Sequence, residues 1–335
     1  MCIRDRARRA GVGVATVSRV INNSGYVSEE TKDKIEKAMK ELDYMPNELA
    51  RNLFRNKSGI IAVLVPALEH PFFSEFVNQV ESALHEKGYK TMVCSTAKNS
   101  EYETEYLQML KKCVVDGIIT GVHSLNVDEY LINDMPIVAL DRYIDDRIPI
   151  VSVDHRHGGI MAAREFIRCG CKKVVQLQGA KKVQSPALER HEYFQRELKK
   201  AGIQVYTYEM EWNKFDTEYF AQVVKEVYDM YPDADGMFGT DLVAMLFEKY
   251  ALSKGRKIPE DLKIIAYDGT YVTDMAHPSL TKIKQPIERL AKEATRIITR
   301  AIDGNAATEK NIYLETVLIR GAVSYTHPDA ADEAR

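Results

Sequence analysis

No stretch of this 335-residue sequence approaches the ~18 consecutive apolar residues of a membrane-spanning helix. The opening residues, MCIRDRARRA, lack the apolar core of a signal peptide, so neither a membrane nor export is expected. Cysteine is scarce and scattered: Cys2, Cys94, Cys113, Cys169 and Cys171 are odd in number and form no CxxC pair. A disulfide framework and a zinc site are therefore not expected, and a reducing cytoplasm fits best. GxSxG, P-loop and HExxH motifs are all missing, which leaves no enzyme reading and no cofactor. His155 and His157 stand close together, but no other metal-like spacing surrounds them. With 45% apolar and 28% charged residues, the composition excludes wholesale disorder, a collagen and a coiled-coil rod. The length suffices for two or three domains with sizeable cores.

What is present is unevenly placed. Residues 1–58 carry 12 Lys and Arg against 8 Asp and Glu, whereas the rest carries 34 against 41. A small basic head on a larger acidic body suggests an anionic partner at the head, nucleic acid first among them. Three short helices are expected there. The first covers Ile3–Ala10 and stops at Gly11, and the second runs from Val14 to Asn22. The third starts at the N-cap Ser28 and shows one apolar stripe through Ile35, Ala38, Met39 and Leu42. Ala7, Gly11 and Val17 are spaced as in a helix-turn-helix: a small residue where helices approach, a glycine at the turn, and a valine filling the gap.

The stretch from Ala7 to Gly59, densest in AGVGVATVSRVIN and YMPNELARNL, resembles the head of the LacI/GalR family of bacterial transcriptional regulators. The likeness continues to about Gly321. It implies that Val14, Ala15, Thr16 and Arg19 face the major groove. Their chemistry agrees, because Val14 and Ala15 offer apolar contact to a thymine methyl and Arg19 can fork onto a guanine edge. Thr16, Ser18 and Asn22 are short polar groups suited to phosphate or base contact. Residues 46–58 then resemble a hinge helix that folds when two protomers meet over the minor groove. Leu53 would wedge between base pairs there, with Arg51, Arg55 and Lys57 on phosphates. Two positions depart from the family pattern: Gly13 stands where serine usually caps the recognition helix, and Arg6 where an apolar core residue is usual. Met1–Arg6 and the tail from Val323 to Arg335 read as translated adapter sequence, so residues 323–335 carry no functional argument.

From Ser58 onward, short β-rich runs alternate with helical stretches. Strands are expected at Ile60–Val65, Lys90–Cys94, Gly117–Thr120 and Ile137–Leu140. A second series is expected at Val174–Leu177, Val205–Tyr208, Met237–Phe238 and Ile264–Tyr267. Helices separate them at Phe72–Lys87, Glu101–Cys113, Leu188–Ala201, Asp216–Met230 and Asp241–Ser253. This alternation predicts an α/β class with two doubly wound parallel subdomains and a ligand cleft at the carboxyl ends of their strands. It resembles the periplasmic-binding-protein type I fold of the family's effector domain, in which the chain crosses three times. Crossings are expected near His155–Gly159, near Gln285–Pro286 and beyond residue 305. The organisation expected is a helix-turn-helix at 1–45, a hinge at 46–58 and an effector and dimerisation domain at 59–322.

Cleft residues follow from position after a strand. Phe72 and Phe73 follow the first strand and could stack on a sugar or a planar base. Asp141 and Arg142, Asp154, Asp241 and Asp268 each follow a later strand, and Arg190 lies in SPALER. Short carboxylates with a forked arginine suit vicinal hydroxyls. His155 replaces a usual asparagine, Tyr193 replaces a glycine, and Trp212 and Phe215 compete for one stacking position. The reading is a cytoplasmic homodimeric regulator, most naturally a repressor, that binds a pseudo-palindromic operator under control of a sugar-like effector. A solute-binding protein is the alternative; it would have a signal peptide and no basic head.

Overall fold

The computed structural model describes residues 3–22, 24–44, 57–96, 101–122, 128–131, 135–181, 185–212, 214–305 and 311–321. Two compact units divide between Gly59 and Ile60.

In the first unit, α1 (Ile3–Ala10), α2 (Val14–Asn22) and α3 (Glu29–Glu41) close on a small core of Ala7, Val17 and Ile35. Gly11 adopts φ +67°, which lets the Val12 amide turn back onto the Ala7 carbonyl at 3.0 Å. Ser28 occupies the N-cap of α3, but its hydroxyl meets Thr31 Oγ1 at 2.8 Å instead of capping a backbone amide. Arg6 is buried in this small unit. Its guanidinium lies 3.4 Å from the centre of the Tyr44 ring, while Nε and one terminal nitrogen have no hydrogen-bond partner among the described residues. The position is thus a core position filled by a cation, and the ring offsets only part of the desolvation cost.

The second unit holds two six-stranded sheets. The first is ordered β11-β5-β4-β3-β1-β2, with β1 (Ile60–Val65), β2 (Lys90–Ser95), β3 (Gly117–Thr120), β4 (Ile137–Leu140), β5 (Ile150–Val153) and β11 (Asn311–Leu314). The second is ordered β12-β10-β9-β8-β6-β7, with β6 (Lys173–Gln178), β7 (Gln204–Glu209), β8 (Gly236–Thr240), β9 (Lys263–Asp268), β10 (Thr281–Lys284) and β12 (Val317–Ile319). All pairings are parallel except β10 with β12. Continuous apolar runs such as IIAVLV are what a sheet covered on both faces requires.

Helices α4 (Pro71–Glu86) and α5 (Glu101–Lys111) belong to the first lobe; α7 (Glu189–Lys200), α8 (Thr217–Met230) and α9 (Asp241–Ser253) belong to the second. On α4, Phe72, Phe76, Val80 and Leu84 recur every fourth residue and are all buried. The chain changes lobes three times. After β5 it enters α6 (His155–Arg168), which packs on α7 of the second lobe. After β10 it enters α10 (Ile287–Ile302), whose Leu290, Ala291, Ala294 and Ile298 fill the first lobe's core. It returns for the last time between β11 and β12. Among the described residues, no helix is long and apolar enough to cross a membrane.

Candidate functional site

The head presents one face of α2. Val17 is fully buried against the core, which turns the opposite side outward. There Val14 is 42% exposed, Ala15 and Arg19 are exposed, and Thr16 and Ser18 are half-buried. Asn22 ends the helix; its side chain lies outside the described residues. Gly13 starts α2 through its carbonyl, which accepts from the Thr16 amide at 3.0 Å, so the serine usual there is replaced by backbone alone. With no carboxylate on α2, an approaching anion meets only the Arg19 guanidinium on this helix. Arg51, Leu53 and Arg55 lie outside the described residues.

In the second unit the carboxyl ends of β1, β3, β4 and of β6 to β9 converge on a cavity of about 160 Å³. One wall is aromatic. Phe72 and Phe73 come from the start of α4, while Trp212 and Phe215 come from the segment after β7. Phe215 stands edge-on to Phe73 with ring centres 6.2 Å apart and packs on the cores of both lobes. Both Trp212 and Phe215 line the cavity.

The polar wall is centred on Arg190, Asp141 and Asp268. The Arg190 guanidinium lies 4.3 Å from the centre of the Tyr267 ring, and its Nε donates to His191 Nε2 at 3.2 Å. His191 Nδ1 meets Gln176 Oε1 at 3.2 Å, an acceptor, so this ring carries its proton on Nδ1. Burial and the neighbouring Arg190 charge hold the His191 pKa well below the usual value, consistent with a neutral ring that accepts from the arginine. Asp141 sits at φ +50° and accepts from Ser152 Oγ at 2.5 Å and from His155 Nε2 at 3.1 Å. Burial pushes its pKa up, but His155, Ser152 and Arg190 outweigh that and hold it below the ordinary aspartate value. Asp268, at φ +119°, accepts from Gln285 Nε2 at 2.8 Å. Burial and the nearby Asp241 charge push its pKa well up.

Three of the residues expected in the cleft do other work. Arg142 is 2% exposed and turns away from the cavity, pairing with Glu103 at 2.9 Å and donating to the Val122 carbonyl at 2.7 Å. Asp241 is buried and does not line the cavity. It accepts from the Gly269 and Thr270 amides at 3.1 and 2.7 Å and from Thr270 Oγ1 at 2.6 Å, so it shapes the loop after β9. Asp154 caps α6 through the His157 amide at 2.9 Å. The cavity also contains residues that position after a strand did not single out: His70, Ser185, His191, Thr240 and Gln285. His70 was legible in principle, since it directly precedes the Pro71 that opens α4. Gln285 lies at a lobe crossing, and nothing local in the sequence marks it.

Residues 2–47 match the model of the bacterial regulatory proteins, lacI family, and residues 163–323 match a periplasmic binding protein-like domain. The ribose operon repressor of Halalkalibacterium halodurans is 36% identical over 302 residues, covering 90% of each chain. The sucrose operon repressor of Streptococcus mutans is 37% identical over 320 residues, covering 95% of this chain and 98% of the relative. The chain belongs to the lacI family. Among solved structures, a periplasmic binding protein/LacI transcriptional regulator from Alkaliphilus metalliredigens QYMF, complexed with D-xylulofuranose, is 27% identical with a TM-score of 0.73. It covers 80% of this chain and is itself covered completely.

The lacI-family pattern sharpens the meaning of His155. In place of the usual asparagine, the buried imidazole reaches Asp141 of the first lobe through Nε2 and the Tyr267 hydroxyl of the second at 2.9 Å through Nδ1. A carboxylate only accepts, so Nε2 holds the proton toward Asp141. Two of the charged residues that line the cavity, Asp141 and Arg190, are thus connected through His155 and the Tyr267 ring. Ser185 adds a second tie between lobes by donating to the Asp141 carbonyl at 2.6 Å.

Proposed function

We propose that this lacI-family chain is a DNA-binding repressor whose operator affinity is set by a small sugar or sugar derivative held between the two lobes of its body. One observation carries the reading: the same chain has an outward face of Val14, Ala15 and Arg19 on a helix-turn-helix and an internal cavity of about 160 Å³ with polar and aromatic walls. The relatives named as ribose and sucrose operon repressors support the sugar class. No residue is assigned a catalytic role. Val14 and Ala15 would contact thymine methyls, Arg19 a guanine, and Thr16, Ser18 and Asn22 neighbouring phosphates or bases. Phe72, Phe73, Asp141, Arg190, Trp212, Phe215 and Asp268 would form the effector site.

The acting species is a cytoplasmic homodimer that sets two recognition helices in successive major grooves of a near-palindromic operator. Residues 46–58 link head and body, with Leu53 as a minor-groove wedge flanked by Arg51 and Arg55. Selection from a pool of random duplexes with the full chain tests this. Enrichment of a near-palindromic site, bound more weakly as salt rises, is expected. Failure to enrich any sequence overturns the regulator reading.

A further inference from the structure

Charge inside the cavity is matched. Arg190 and Asp141 line the same cavity and are joined through Tyr267 and His155. Against the upward push of burial, His155 and Ser152 first, and the Arg190 charge after them, hold that carboxylate below its ordinary value, while Asp268 is buried and held toward its neutral form. The other charged lining residues, Glu211 and Lys214, are exposed and of opposite sign. The two histidines that line the cavity add no cation at neutral pH. Burial and the Arg190 charge lower His70 to about 4, and the same two causes act on His191. A phosphate or carboxylate would therefore find its one deep cation already compensated and two aspartates beside it. The cavity also falls below the ~300 Å³ at which drug-sized sites begin, which favours a compact ligand.

The same wall carries unmet hydrogen-bonding capacity. His70 Nδ1, Thr240 Oγ1 and Gln285 Oε1 belong to lining residues, and none has a partner among the described residues. Leaving a buried polar atom unpaired is costly, so native structures do so mainly where a ligand or water completes the bond. Rotation of the imidazole about its terminal torsion would turn Nδ1 toward a ligand, whereas the Gln285 amide is held by Nε2 donating to Asp268, with Oε1 as the atom left over. His70 is itself packed against Phe73 and Phe215, with ring centres 5.4 and 6.0 Å away, so its ring already stands beside the aromatic wall. Hydroxyls are the natural complement, because each both donates and accepts and so suits the neutral His70, Thr240 and the Gln285 carbonyl oxygen alike.

We infer that the cavity takes an uncharged monosaccharide and rejects its phosphate ester, with His70 and Gln285 reading ligand hydroxyls. This rests on the effector-controlled reading above and deepens it. The discrimination comes from the balance of Asp141 against Arg190; the hydroxyl readout comes from the unsatisfied atoms.

Calorimetric titration of the full chain with D-ribose, D-xylulose and D-fructose, each paired with its phosphate ester, tests the inference. At least one neutral sugar should bind, with its ester at least tenfold weaker. In Asp141→Asn the ester-to-neutral preference should rise at least tenfold, since Arg190 is then left uncompensated; a merely structural role for Asp141 would weaken both ligands together. His70→Phe, which preserves the aromatic packing, should weaken the neutral sugar by about tenfold with the melting temperature retained. Gln285→Leu is the second variant should His70→Phe fail to fold. An ester that binds as tightly as its parent sugar overturns the inference, while the regulator reading survives if that ester alters DNA affinity. Binding of neither class overturns the inference together with the sugar-effector reading, whereas sequence selection by the head stands or falls on the random-duplex experiment.

Discussion

At the residue scale, Arg19 and Glu248 make opposite demands on their surroundings. Arg19 is exposed on a helix without carboxylates, so its guanidinium is available to fork onto a base. Arg19→Ala should cost about 1–3 kcal/mol on the selected operator and relax selectivity at one position in each half-site. Equal weakening on operator and random duplex would make it a phosphate contact instead. Glu248, on α9, is buried, its Oε1 has no partner among the described residues, and burial pushes its pKa from 4.5 to about 7. Between those values the folded chain keeps a proton that the unfolded chain releases. Stability therefore falls as pH rises through this window, and the cost is complete above it. Glu248→Gln is neutral throughout, so it should gain on the order of 1–3 kcal/mol over the parent at pH 8 and little at pH 4. Melting curves that run parallel across that range would contradict the assignment. The cleft was partly legible for a related reason. Asp141 and Asp268 follow strands and could be placed by that rule, but Asp241 and Arg142 obey the same rule and point elsewhere. Position after a strand fixes where a Cα lies and leaves side-chain direction to packing.

At the scale of elements, the tightest requirement is the crossing of α6 over α7. A Cβ on Gly159 would lie 2.1 Å from the Arg190 carbonyl oxygen, and one on Gly158 would lie 2.6 Å from the Tyr267 hydroxyl. Neither obstacle yields cheaply, since one is backbone and the other is held by His155. Gly159→Ala should therefore cost at least about 1–3 kcal/mol in stability, despite alanine's better helix propensity. Because the displaced atoms belong to Arg190, sugar affinity should fall as well. Unchanged melting and unchanged titration together would show that the helices can separate without consequence. Elements with strong periodicity, such as β1 and α4, were readable because burial imposes a pattern long enough to count. The strands β10, β11 and β12 were not: β11 and β12 are short and partly exposed, and β10, though largely buried, reads TKIK with a buried lysine. Nor was α6, since HRHGGIMAAREFIR opens with polar residues and two glycines. Those glycines look like helix breakers in sequence and are required by the neighbour that only the fold supplies. The head was legible for the opposite reason: its logic is local, with Ala7 and Val17 sharing one small core across the turn at Gly11.

At the scale of the whole molecule, the proposed function couples a site in the body to a helix in the head. If the neutral sugar changes operator affinity by some factor, thermodynamic linkage requires the operator to change sugar affinity by the same factor. Couplings of this kind are typically about 1–3 kcal/mol, or roughly 5–150-fold. The physical source must be a difference in sugar contacts between two arrangements of the lobes, because a ligand that binds both equally shifts nothing. Among the described residues, identifiable contacts span the lobes: His155 to Asp141 and Tyr267, Ser185 to the Asp141 carbonyl, and Phe215 against Phe73 and His70. His155→Asn removes the reach of the imidazole while keeping a polar, family-typical side chain at the crossing. The expected outcome is a smaller coupling factor, read identically from sugar titrations with and without operator and from operator titrations with and without sugar. A variant whose two ratios agree with each other and with the parent would show that the lobes communicate without this tie. The coupling would then fall to other contacts between the lobes, such as Ser185 to the Asp141 carbonyl and Phe215 against Phe73 and His70.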